Sequence, residues 1–117
     1  MNREKLIAAG IDYDEALERF VSDVPFYEGY LMKFEEDTYF PQLKENMSQK
    51  RYEDAFKMAH ALKGVVGTLG MMQFHGVVSD LVEALRNMDV ELAEEKFLVV
   101  EEEYDKMLVA LRESCEG

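Results

Sequence analysis

Two histidines, His60 and His75, and one cysteine, Cys115, are the imidazole and thiol side chains of this 117-residue chain. His60 has the more informative surroundings: Lys63 follows at i+3, Gly64 at i+4 and Gly67 at i+7, so on a helix all three share its face. An imidazole with an ordinary pKa of about 6.5 is mostly neutral near pH 7, and the neutral ring is a nucleophile able to carry a covalent group. A lysine one turn along offers a positive charge and three donors, suited to a dianionic group such as a phosphoryl held on the ring. No carboxylate stands at i+3 or i+4 to make an acid–base dyad with His60, so the arrangement fits group transfer better than hydrolysis.

The glycines carry weight because each costs a helix interior about 0.8–1 kcal/mol relative to alanine. Taken singly, His60 reads as surface, Lys63 as solvated charge, Gly64 as a close helix crossing and Gly67 as part of a fraying end. Together on one face they describe an imidazole left clear of side chains, so that a flat surface of another protein could reach its nitrogen. His75, between Phe74 and Gly76, has no such company and reads as structural or surface. Cys115 near the C-terminus reads as a thiol on a frayed end and cannot form an internal disulfide.

The element that must hold this face is a helix over Tyr52 to Leu69, with Tyr52, Ala55, Ala59, Leu62, Val66 and Leu69 in one apolar stripe ended by Gly70. At about 100° per residue, His60 falls roughly 130° from the centre of that stripe, pointing outward. A following helix carries Phe74, Val77, Val78, Leu81, Leu85 and Met88 on its buried side. Asn87-Met88-Asp89 then makes a corner, with Asp89 as N-cap of a last helix whose seam is Ala93, Phe97, Val100, Tyr104, Met107 and Leu111. Ahead of these come a short helix from Asn2 to Ala9 stopped by Gly10, a segment capped by Asp12 with Leu17, Phe20, Val21 and Val24 at helical spacing, and, after a restart at Asp23 before Val24-Pro25, a piece bearing Tyr27, Tyr30, Leu31 and Phe34. Pro41 marks a break or the first turn of a further piece with Leu43 and Met47. No segment alternates as a strand does. Short connections between long helices predict an all-α fold, an up-and-down antiparallel four-helix bundle with a short N-terminal capping helix, in a single domain spanning residues 1–117.

Composition narrows the function classes. With 48% hydrophobic and 32% charged residues the chain reads as a soluble globular domain. A net charge of −12, without a basic stripe, argues against nucleic acid. No apolar run reaches the roughly 18 residues of a membrane span, and the start is unlike a signal peptide, so a cytoplasmic location without a membrane partner is expected. No glycine loop of the ATP-binding or dinucleotide-binding kind is present. Neither histidine has a glutamate three residues before it, which removes the metal-binding bundle that needs Glu-x-x-His pairs. The glutamate runs at Glu94-Glu95 and Glu101-Glu102-Glu103 read as a solvated helix face. The aromatic series from Phe20 to Phe40 reads as core, with some members free to flank a docking groove.

His60-Ala61-Leu62-Lys63-Gly64, followed by Gly67 and Gly70, resembles the HxLKG signature of histidine-containing phosphotransfer (HPt) domains. Gly10-Ile11-Asp12, Ala16-Leu17, Arg19-Phe20 and the Asp23 region resemble the entry to that domain, so the likeness covers about Ile11 to Leu108. The resemblance implies a phosphocarrier in a multistep phosphorelay, with His60 taking a phosphoryl group from a receiver-domain aspartate and passing it to another. Lys63 matches the lysine near the phosphoryl group, Gly64 the glycine that leaves room for it, and Gly67 and Gly70 the small residues bordering the site and the turn after it. Many relatives orient the imidazole with a Gln or Glu on the next helix; the corresponding position here is Val82, with Glu83 beside it. The expected partners are receiver domains of response regulators or hybrid kinases. No cofactor is expected on this chain, and the Mg2+ used in transfer would sit in the receiver. The start at Met1 leads to the expectation of a stand-alone protein, and a monomer is expected. The alternative is an interaction bundle that docks receivers or kinases without being phosphorylated.

Overall fold

The computed structural model describes residues 1–116. The elements are α1 (Arg3–Ala8), α2 (Tyr13–Arg19), α3 (Val24–Lys33), a single 3-10 turn (Phe34–Glu36), α4 (Tyr39–Ser48), α5 (Tyr52–Thr68), α6 (Met72–Arg86) and α7 (Val90–Glu116). Among the described residues the only extended pairing is one isolated bridge, Ile11 with Met71, so the predicted all-α class stands. None of these helices is long and apolar enough to cross a membrane.

The core forms where the spacing of apolar residues places it. From Ala55 to Val66 the stripe of α5 is buried, as are Phe74, Val78, Leu81 and Leu85 of α6 and all six seam residues of α7. α5 packs between α4 and α6, and α6 packs on α7. The links Leu69–Met71 and Asn87–Asp89 are three residues each. Phe56 near the start of α5 meets Arg86 at the end of α6, and Gly67 near the end of α5 meets His75 near the start of α6; these two helices are antiparallel. From α4, Phe40 stacks on Tyr104 with ring centroids 4.0 Å apart, which fastens this short helix to α7.

Two left-handed glycines shape the corners that present α5. Gly70 has φ +79°, and a Cβ there would lie 2.7 Å from the Ala16 Cβ and 2.9 Å from the Asp12 carbonyl oxygen. The Asp12 amide donates to the Gly70 carbonyl at 2.7 Å, so the end of α5 is tied to the start of α2 where no side chain would fit. Gly10 has φ +90° and ends the first helical segment as expected.

Several expectations change. α2 stops at Arg19 instead of continuing to Val24: Val21 and Ser22 take φ values of 50° and 56°, the Ser22 amide closes the turn on the Leu17 carbonyl, and Val21 is 82% exposed. Asp23 restarts the chain by accepting from the Phe26 amide at 3.1 Å, with Pro25 in the first turn. Asp12 occupies the N-cap position of α2, but its carboxylate makes no capping bond. Met88 takes φ 54° in the corner after α6 and is 59% exposed, not buried. Asp89 does cap the last helix, accepting from the Leu92 amide at 3.2 Å. Pro41 lies in the first turn of α4, whose opening amides at Tyr39 and Phe40 donate to the Asp37 carboxylate. The N-terminal segment forms three short helices, one for each of the three pieces expected, and α1 packs on α7 with the Asn2 amide donating to the Ser114 carbonyl at 2.8 Å.

Candidate functional site

His60 is exposed on the outer face of α5, with buried Ala59 and Leu62 directing the opposite face inward. Its angular position therefore matches the one read from the stripe. Lys63 is partly buried, and none of the ion pairs among the described residues involves it. A Cβ added to Gly64 would meet nothing within 4 Å. The space beside His60 on this side is open.

Gly67 serves a different purpose from the one its spacing predicted. A Cβ there would come 3.1 Å from Cδ2 and 3.4 Å from Nε2 of His75, so the room it leaves is filled by the second imidazole. His75 is partly buried against α5, and its carbonyl accepts from the Ser79 hydroxyl at 2.8 Å. The structural reading of His75 thus gains a specific partner that one-helix spacing could not reveal.

Beside Gly64 runs a groove of about 1000 Å³ between α5 and α3, with Ala61, Gly64 and Thr68 on one wall and Phe26 and Tyr30 on the other. Phe26 and Tyr30 are 47% and 45% exposed, so these two members of the aromatic series belong to the groove and not to the core. They pack edge to face at 5.3 Å, and Phe20 beneath meets both at 5.3 and 5.5 Å. Lys33 lies 5.4 Å from the centroid of the Tyr30 ring. Arg19 donates to the Gly67 carbonyl at 3.0 Å and the Thr68 carbonyl at 3.4 Å, adding a side-chain donor to carbonyls of the last turn of α5. The Tyr27 hydroxyl donates to the Leu69 carbonyl at 2.7 Å in the interior, and burial pushes this phenol up from its ordinary pKa. These bonds hold α2 and α3 against the end of α5 and thereby fix the groove beside Gly64.

On the other flank, Val82 is fully buried in the core, so the α6 position expected to orient the imidazole is an apolar packing residue. Glu83 is exposed and pairs with Arg86, Nε to Oε1 at 3.3 Å. Neither ring nitrogen of His60 has a hydrogen-bond partner among the described residues. The ring instead contacts Phe56, one turn earlier, with centroids 5.9 Å apart and planes tilted by 43°. Sequence reading passed over Phe56 and Arg86. Phe56 stands off the main stripe at i−4 from His60, a spacing visible in the sequence, whereas its contact with Arg86 depends on how α5 and α6 pair.

The family model for the Hpt domain matches residues 31–114, well over half of the chain and inclusive of α4 to most of α7. The chain belongs to the Hpt domain family. No curated protein and no solved structure matches it. Membership in the Hpt family implies histidine phosphotransfer in a phosphorelay, and Hpt domains generally engage receiver domains. The matched stretch starts near the end of α3, so the Ile11–Tyr30 part of the wider resemblance lies outside it. His60, Lys63, Gly64 and Gly67 all fall within the matched Hpt stretch.

Proposed function

We propose that the chain is a phosphocarrier of a multistep phosphorelay, with His60 as phosphoacceptor. A ring nitrogen of neutral His60 attacks the phosphorus of a receiver aspartyl phosphate; the N–P bond forms as the P–O bond breaks, and the aspartate leaves as carboxylate. Onward transfer reverses these events on a second receiver. The observation that carries the reading is the exposed His60 beside a Gly64 whose Cβ position is empty, inside the stretch matched to the Hpt family. Lys63 would neutralise part of the charge gained on the ring. The apolar groove with Phe26 and Tyr30 would receive the docking face of the receiver, aligning its aspartate with His60. Magnesium would be bound by the receiver, with no cofactor on this chain.

The same reading takes α4 to α7 as an up-and-down four-helix bundle with α1 to α3 as its N-terminal cover, residues 1–117 as one domain, and a monomer acting in the cytoplasm. The test is phosphorylation by a phosphorylated receiver domain. His60→Gln should abolish the acid-labile label while helicity and melting stay close to wild type, because an outward residue contributes little packing. Labelling that persists, or that lies on His75, overturns the assignment; receiver binding without labelling of the wild-type chain returns the interaction bundle.

A further inference from the structure

Given His60 as phosphoacceptor, its imidazole has two side-chain torsions to restrain and, among the described residues, no hydrogen bond to restrain them. Val82 is sealed in the core and Glu83 is engaged by Arg86. What touches the ring is Phe56, at a centroid distance of 5.9 Å, within the range in which aromatic pairs attract. Phe56 is itself partly buried and packed against the core, and the Arg86 guanidinium carbon lies 5.3 Å from its ring centroid. A continuous series of contacts therefore runs from Glu83 and Arg86 on α6 through Phe56 to His60 on α5.

We propose that Phe56, held by Arg86, is the positioning residue for His60, taking the place of the polar orienting residue whose position Val82 occupies. This inference rests on the phosphocarrier reading above. Its chemistry differs from that of a hydrogen bond in one useful respect. An aromatic contact restrains the ring without engaging either nitrogen, so the nitrogen that accepts the phosphoryl group and the one that carries the proton both stay available. A restrained ring arrives in attack geometry when the receiver docks, whereas a free ring must be ordered at that moment.

The test compares wild type with Phe56→Leu, Phe56→Tyr and Arg86→Met in the full chain. With a receiver domain charged by potassium phosphoramidate, Phe56→Leu should lower the transfer rate at saturating receiver about two- to tenfold, the loss of one aromatic pair, while receiver affinity changes little. Phe56→Tyr should restore the rate, and Arg86→Met should lower it in the same direction by less. Labelling by phosphoramidate itself, which needs no docked geometry, should fall less than twofold. A merely structural role would lower helicity and melting and would not separate these two phosphoryl donors. Equal transfer by Phe56→Leu and wild type overturns the inference and leaves His60 as phosphoacceptor standing. If the wild-type chain accepts no phosphoryl from either donor, the phosphocarrier reading falls. NMR then still decides on positioning: His60 should show one ring rotamer with contacts to Phe56 in wild type and averaged rotamers in Phe56→Leu, and identical averaging in both overturns it.

Discussion

Replacing Gly64 separates stability from transfer, because the structure assigns each a different sign. Gly64 is exposed within α5, and a Cβ there meets nothing within 4 Å. Gly64→Ala therefore gains the full helix-propensity difference, about 0.8–1 kcal/mol, with no steric deduction. For a chain of this size that corresponds to a melting increase of roughly 4 °C. Gly64→Leu should gain nearly as much, since leucine ranks just below alanine and its Cβ likewise meets nothing within 4 Å. Transfer should go the other way. The new side chain lies one turn from His60 on the same face, where a receiver would approach on the proposed reading, and a displacement of about 1 Å in attack geometry can lower a rate on the order of 100-fold. We expect a loss of that order for Gly64→Leu and a milder one for Gly64→Ala. Gly67→Ala is the control: its Cβ would press to 3.1 Å on the His75 ring, so the propensity gain is offset by packing. Thermal melts and transfer rates from a phosphorylated receiver measure both signs. Gly64→Leu transferring at the wild-type rate refutes the access argument, and a fall in melting temperature refutes the open-space argument.

Lys63→Ala should shift the receiver-to-carrier equilibrium several-fold away from the phosphorylated state, a preference of about 0.5–1.5 kcal/mol that weakens with salt, while Lys63→Arg retains most of it; equal constants for Lys and Ala at low ionic strength refute an electrostatic role. Tyr27→Phe removes the hydroxyl that donates to the Leu69 carbonyl and should cost about 1–2 kcal/mol in urea unfolding, so an unchanged midpoint refutes that bond's part in holding α3 to α5. Burial, then the hydrogen bond to Glu28, pushes the Tyr13 phenol up to about 12, and burial also raises Tyr27 and Tyr104. Unfolded phenols ionise near pH 10, so this contribution to stability is complete below about pH 10 and lost as pH rises through 12 and beyond; urea midpoints that stay level from pH 9 to 12 refute it.

The long helices were legible because their apolar spacing is unbroken: every seam residue of α7 is buried, and His60 is exposed where the stripe of α5 puts it. The N-terminal third was harder to read. Its restart at Asp23 before Val24-Pro25 was legible. Leu17, Phe20, Val21 and Val24 have helical spacing, yet Val21 and Ser22 adopt left-handed backbone, a choice made by the turn closing on Leu17. Such closure depends on a few backbone bonds and leaves little trace in a hydrophobic pattern. The same limit hid the division of the aromatic series, since Phe26 and Tyr30 have the composition of a core but line a groove whose second wall is α5.

The two glycines show why spacing reveals access more readily than partnership. On one helix, Gly64 and Gly67 are equivalent absences of a side chain, and both follow His60 on its face. Gly64 remains an absence in three dimensions, whereas Gly67 is a socket for His75, because the antiparallel register of α5 and α6 brings residue 75 to residue 67. That same register brings Arg86 to Phe56 and leaves Val82 in the core. Helix pairing therefore decides what surrounds the imidazole on the α6 side, and the spacing within α5 decides what is missing on the other. On the proposed reading, a histidine open toward the groove and restrained from the opposite flank would combine the two needs of a carrier: approach by a partner, and a ring already oriented when the partner arrives.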